Sequence, residues 1–156
     1  MKKDNFSIWL LAATVMLMTA YFMFEASILT ELWDGDRSKI SMLILAIGVF
    51  FFAKLGRMIY IYDKNKSHLI VKYDLDAGFE ASQTVMTLGM IGTIIGFSMM
   101  LGSFNGVDIS DINSIKQLFS IATDGMATAL YTTLSGLSVH LILRTSYWLF
   151  ERNITQ

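Results

Sequence analysis

Residues 85–104 read VMTLGMIGTIIGFSMMLGSF, and residues 125–143 read GMATALYTTLSGLSVHLIL. Neither stretch holds an aspartate, glutamate, lysine or arginine. Each has about the 20 residues that a helix needs to cross a hydrocarbon core. Two earlier stretches qualify as well. One runs from about residue 6 to 24. The other, from about 40 to 62, is apolar to Ala53 and continues past Lys54 and Arg57, whose long stems reach headgroups beside Tyr60 and Tyr62. The expected fold is therefore an all-α integral membrane protein with four transmembrane helices, a single membrane domain over residues 1–156.

The composition agrees. Of 156 residues, 54% are hydrophobic and 16% charged, too apolar a balance for an ordinary soluble domain. The net charge of −1 gives no basic field for nucleic acid. Absence of cysteine excludes disulfides and thiolate chemistry, and absence of proline leaves long helices without forced kinks. Lys2 and Lys3 precede the first apolar run as they would in a signal peptide. That run is longer than a typical h-region and leads into Glu25-Ala26-Ser27, a poor cleavage site, so it reads as an uncleaved first span.

Orientation follows from charge. Residues 25–39 carry Glu25, Glu31, Asp34 and Asp36 against Arg37 and Lys39, and residues 105–124 carry three aspartates and Lys116. Lys54, Arg57, Lys64, Lys66 and Lys72 crowd the middle, and Lys2, Lys3, Arg144 and Arg152 lie at the ends. The positive-inside rule puts both termini and a short middle loop, about 63–84, in the cytoplasm, an N-in/C-in topology. The apolar residues of that loop predict a helix continuous with the second or third span. Tyr147, Trp148 and Phe150 suit an interfacial aromatic belt.

At 100° per residue, Gly89, Gly92, Thr93, Gly96 and Ser103 share one side of the third span. Gly125, Ala129, Thr132, Thr133 and Gly136 form a matching small-residue stripe on the fourth, opposite Met126, Leu130, Leu134, Leu137 and Leu141. Gly92 and Gly96 make a GxxxG pair, whose default meaning is close helix packing with threonines bonded to their own carbonyls. The run Gly-x-x-Gly-Thr-x-x-Gly-Phe from Gly89 to Phe97, followed by Gly-x-Ala-x-Ala-Leu-x-Thr-Thr-x-x-Gly-Leu from Gly125 to Leu137, resembles the MotA/TolQ/ExbB proton channel family over roughly residues 82–143.

The resemblance implies a subunit of an ion-driven motor or stator in the bacterial inner membrane, conducting H+ or Na+. It implies a homopentamer around a dimer of single-span partners of the MotB/TolR/ExbD kind, each with one membrane aspartate. It assigns Thr93 and Thr133 to the ion pathway, with Thr132 and Thr128 beside them. Gly89, Gly92, Gly96, Gly125, Ala129 and Gly136 would serve helix packing or form the small pore face of a smooth shared channel. Hydroxyls at that depth can donate to a partner carboxylate, relay a proton or ligate sodium; the membrane potential supplies about 2.3 kcal/mol per charge per 100 mV. Some transport-energising members carry glutamate where this chain has Thr128, so a titrating acid must come from a partner. The short middle loop leaves no room for a flagellar torque domain. A partner-independent oligomeric pore and a non-conducting membrane scaffold are the alternatives.

Other polar residues have plainer default readings. Asp124 reads as a helix N-cap, or else as a cation attractor at the pore mouth. His140 reads as bonded to a neighbouring helix, or else as a proton relay. Glu25 is interfacial, Asp108 and Asp111 solvated. His68 lacks partners at metal-ligand spacing, and Ser82, Ser98 and Ser135 lack a base. No enzyme chemistry, cofactor or metal is expected.

Overall fold

The computed structural model describes residue 14 and residues 34–65, 68–104 and 112–155. The first expected span, about 6–24, lies outside the described residues, as do Glu25, Asp108, Asp111 and the side chain of His68. The described chain is helical: α1 is Ile40–Asn65, α2 is His68–Gly102 and α3 is Ile112–Thr155. All three are long and apolar enough to cross a membrane, over Ile40–Tyr62, Lys72–Gly102 and Ile112–Arg152.

The expected spans 40–62 and 125–143 fall within these helices and 85–104 overlaps α2 up to Gly102, but the helices run on. At 1.5 Å per residue, α2 is about 52 Å long and α3 about 66 Å, well beyond a hydrocarbon core of about 30 Å. The middle segment continues both neighbouring spans as helix, with residues 66 and 67 between them. No proline interrupts residues 112–124, and this stretch, expected to belong to the loop of residues 105–124, is the first three turns of α3.

Asp124 is correspondingly not an N-cap: it stands inside α3 and pairs with Arg37 at 2.8 Å. Capping belongs to Asp36, almost fully buried before α1. Its carboxylate accepts from Ser38 N (2.9 Å), Ser38 Oγ (2.6 Å) and Ser41 N (2.7 Å). Lys39, at φ 57°, turns the chain from this cap into the helix.

The core lies between the three helices, where Ile44, Leu55, Met58, Ile59, Leu75, Val85, Val139, Leu143, Tyr147 and Phe150 meet. Burial of Tyr147 and Phe150 corrects their assignment to an interfacial belt; only Trp148 remains exposed, with Arg152 over its ring at 5.7 Å. Tyr147 donates to the Phe51 carbonyl at 3.0 Å, and its ring packs against Gly78. Lys54, expected to reach toward headgroups, pairs with Asp74 of α2 at 2.8 Å. The acid on the next helix offsets the cost of placing the lysine within an apolar helix.

Two outcomes follow. A Cβ at Gly78 would stand 2.0 Å from a Tyr147 ring carbon. Gly78→Leu should therefore lower the thermal midpoint in detergent by the equivalent of about 1–3 kcal/mol. For Asp36, burial raises the pKa, but the bonds from Ser38 and Ser41 outweigh it and hold the carboxyl below its ordinary range. Its contribution is complete above that range and lost as pH falls through the lowered value. The stability gap between wild type and Asp36→Asn should thus be constant near neutrality and close below about pH 4.

Candidate functional site

The pairs in contact run in opposite senses along α2 and α3, so the two helices are antiparallel. Gly89 meets Gly136, Gly92 meets Thr132, Gly96 meets Ala129 and Gly125, and Gly125 meets Met100. The approach is backbone to backbone. A Cβ at Gly96 would stand 2.5 Å from the Ala129 nitrogen and 2.6 Å from the Gly125 oxygen; one at Gly136 would stand 2.9 Å from Gly89 Cα.

The small stripes thus close on each other within one chain. Gly89, Gly92, Gly96, Gly125, Ala129 and Gly136 are all buried in the α2–α3 seam. The physical reason is that glycine faces let helices approach most closely, and the nearest partner is the neighbouring span of the same chain.

The four threonines divide into two pairs. Thr128 and Thr132 are fully buried, Thr128 against the segment leading into α1 and Thr132 against α2. Thr128 Oγ1 donates to the Gly35 carbonyl (3.1 Å) and accepts from the Arg37 amide (3.2 Å). Thr132 Oγ1 donates to Thr128 O (2.9 Å) and Ala129 O (3.1 Å), and its side chain fills the space over Gly92. These hydroxyls are occupied inside the protomer.

Thr93 and Thr133 differ. Their hydroxyls touch each other across the seam. Each also lies against its own helix, Thr93 Oγ1 on Gly89 O (3.0 Å) and Thr133 Oγ1 on Ala129 O (2.8 Å). Both are half-buried. A shared sequence pattern puts them there. Thr93 has Gly89 and Gly96 as seam-side neighbours one turn away, with Met90 and Phe97 beside them on the open side. Thr133 has Ala129 and Gly136, with Leu130 and Leu137. Small-bulky-x-x-Thr-x-x-Gly-bulky therefore occurs once in each helix. In antiparallel helices it brings the two hydroxyls to one point on the seam edge. The sequence carried this signal, but it emerges only when the two runs are aligned on their threonines.

The open face around the pair is apolar: Met90, Ile94, Phe97 and Leu101 of α2, and Met126, Leu130, Leu134, Leu137 and Leu141 of α3, are exposed. Farther along α3, Arg144, Trp148 and Glu151 continue the face at three- and four-residue steps. With Phe79 and Thr145 they line an open cleft of about 470 Å³. His140 takes its default role, with Nδ1 2.8 Å from the Ser82 carbonyl of α2. No group of three or more metal-ligating side chains occurs among the described residues.

The family model of the MotA/TolQ/ExbB proton channel family matches residues 79–156, half of the chain. The match takes in the whole seam, both threonines of the contact pair and the cleft. No curated protein and no solved structure matches the chain significantly.

Gly96→Val should separate the helices, because the atoms in its way are backbone. A Cβ at Gly102 meets nothing within 4 Å, so Gly102→Val is the control. Thermal melting in detergent is expected to show a large loss for the first and none for the second.

Proposed function

Because the chain belongs to the MotA/TolQ/ExbB proton channel family, we propose that it is the multi-span subunit of an ion-driven motor, conducting H+ or Na+ along a path shared with a single-span partner. Five copies surround a partner dimer in the bacterial inner membrane. Each copy has four spans, N-in/C-in, the first formed by residues 6–24. The observation that carries this reading is the Thr93–Thr133 contact. It is a hydroxyl pair on an otherwise apolar face, at the edge of a seam that lies wholly within the family match.

The chemistry follows from what the face lacks. The apolar face around the pair carries no ionisable side chain, so the charge carrier must bring its own titrating group or enter as a bare cation. A carboxylate on a partner helix is costly at this depth when ionised. The threonine pair lowers that cost by donating a hydrogen bond, after which the acid takes a proton or cation on one side and releases it on the other. Leucine and methionine flanking the pair keep bulk water from short-circuiting the step, and the cleft at Arg144 and Glu151 opens the way to the cytoplasm. Because α1 ends at Asn65 and α2 starts at His68, there is no domain between them to engage a rotor. The work done is therefore of the compact energiser kind rather than flagellar torque.

The test is ion flux in vesicles holding the chain and a candidate single-span partner from the same operon. Thr93→Val with Thr133→Val is expected to abolish partner-dependent flux while leaving copurification intact, and the two serine substitutions to preserve it. Flux from the chain alone, insensitive to either pair, would instead identify a passive pore.

A further inference from the structure

The α2–α3 seam is close but smooth. Gly89 meets Gly136 and Gly96 meets Gly125 backbone to backbone, and at the centre the Thr132 side chain is seated over Gly92, so few side chains interlock to resist sliding along the axis. The meeting of Thr93 with Thr133 requires one particular register. His140 on Ser82 O is one direct restraint. Thr132 over Gly92 and the Tyr147 ring on Gly78 are two more, and further restraints converge on α1 and the strap of residues 35–37 that leads into it.

At one end the strap is held to α3 at three points. Thr128 bonds both Gly35 O and Arg37 N, Arg37 pairs with Asp124, and Gly35 lies so close to the Tyr131 ring that a Cβ would stand 2.3 Å away. Asp36 makes the strap continuous with α1 through Ser38 and Ser41. In the middle Gly48 receives Val139 of α3. At the far end Lys54 pairs with Asp74 of α2, and Tyr147 of α3 donates to Phe51 O while its ring covers Gly78 of α2. α3 is therefore tied to α1 and its strap at separated levels, and α2 is tied to the same helix at its far end through Asp74.

We propose that α1 is a splint that fixes the axial register of α2 against α3, and that Thr128 and Tyr147 are positioning residues for the Thr93–Thr133 pair. Thr128 touches no part of the open face; its hydroxyl acts through the strap. The splint stands on geometry alone, and only its bearing on conduction rests on the reading proposed above.

The chain contains no cysteine, so Thr93→Cys with Thr133→Cys introduces the only two thiols. Their rate of disulfide formation under mild oxidation, in the full chain in native membranes, reports the register. Rapid cross-linking is expected in the otherwise unchanged chain. Adding Thr128→Val and Tyr147→Phe should slow it several-fold, and Thr128→Ser should keep the original rate because the hydroxyl is retained. Arg37→Asp or Asp124→Arg alone should slow it, and the two together should restore it. These charge variants decide the matter even if Thr128→Val fails to insert. An unchanged rate in the valine–phenylalanine background, equal slowing by Thr128→Ser, or no recovery on charge exchange overturns the splint. Cross-linking that responds as expected while flux ignores the threonines would overturn the conduction reading and leave the splint standing.

Discussion

The close approach of α2 and α3 is the constraint from which the other features follow. Where Gly89 meets Gly136, and Gly96 meets Gly125, the two backbones occupy space that any side chain would deny them. In a bilayer there is no hydrophobic drive to push helices together, since lipid tails are as apolar as leucine. Association rests instead on dispersion between surfaces that fit. Glycine and alanine supply such surfaces, and their placement on one side of each helix fixes which faces meet. The bulky residues are left outward, toward lipid or other subunits.

Polar groups are then distributed by what the seam leaves for them. A hydroxyl in hydrocarbon needs a partner, and a threonine on a helix finds one in the carbonyl one turn back. Thr93, Thr132 and Thr133 all do so. What separates them is the second contact. Thr132 is pressed into the space over Gly92, Thr128 is taken up by the strap, and Thr93 and Thr133 have each other at an edge that opens outward. Geometry therefore separates the four threonines into two at an open edge and two engaged inside the fold.

The helical membrane fold was legible from uncharged runs alone, because hydrocarbon thickness sets a length that composition must match. The seam residues were legible too, as a stripe with 3.6-residue period, but their destination was not. Nothing in the spacing of Gly89, Gly92 and Gly96 says whether a small face meets its own neighbour or a channel, since both reward smoothness. Asp124 was misread as a cap because residues 112–124 carry acid and polar side chains that look like loop; helix continues there because no residue in the stretch forbids it and Arg37 neutralises the aspartate. Tyr147 was misread as interfacial because its hydroxyl suits water; in the fold that hydroxyl finds the Phe51 carbonyl, and Gly78 makes room for the ring. Each miss depends on a partner distant in sequence, which one-dimensional patterns do not encode.

The central claim is that the face carrying Thr93 and Thr133 turns inward in the assembled complex. An electron cryo-microscopy structure of the complex in lipid nanodiscs, with its partner, tests this most directly. The account predicts that α2 and α3 surround the axis, with α1 outside them and the two hydroxyls within hydrogen-bond reach of a carboxylate on an enclosed helix. A structure with α1 on the axis, or with the threonine pair facing lipid, would contradict it.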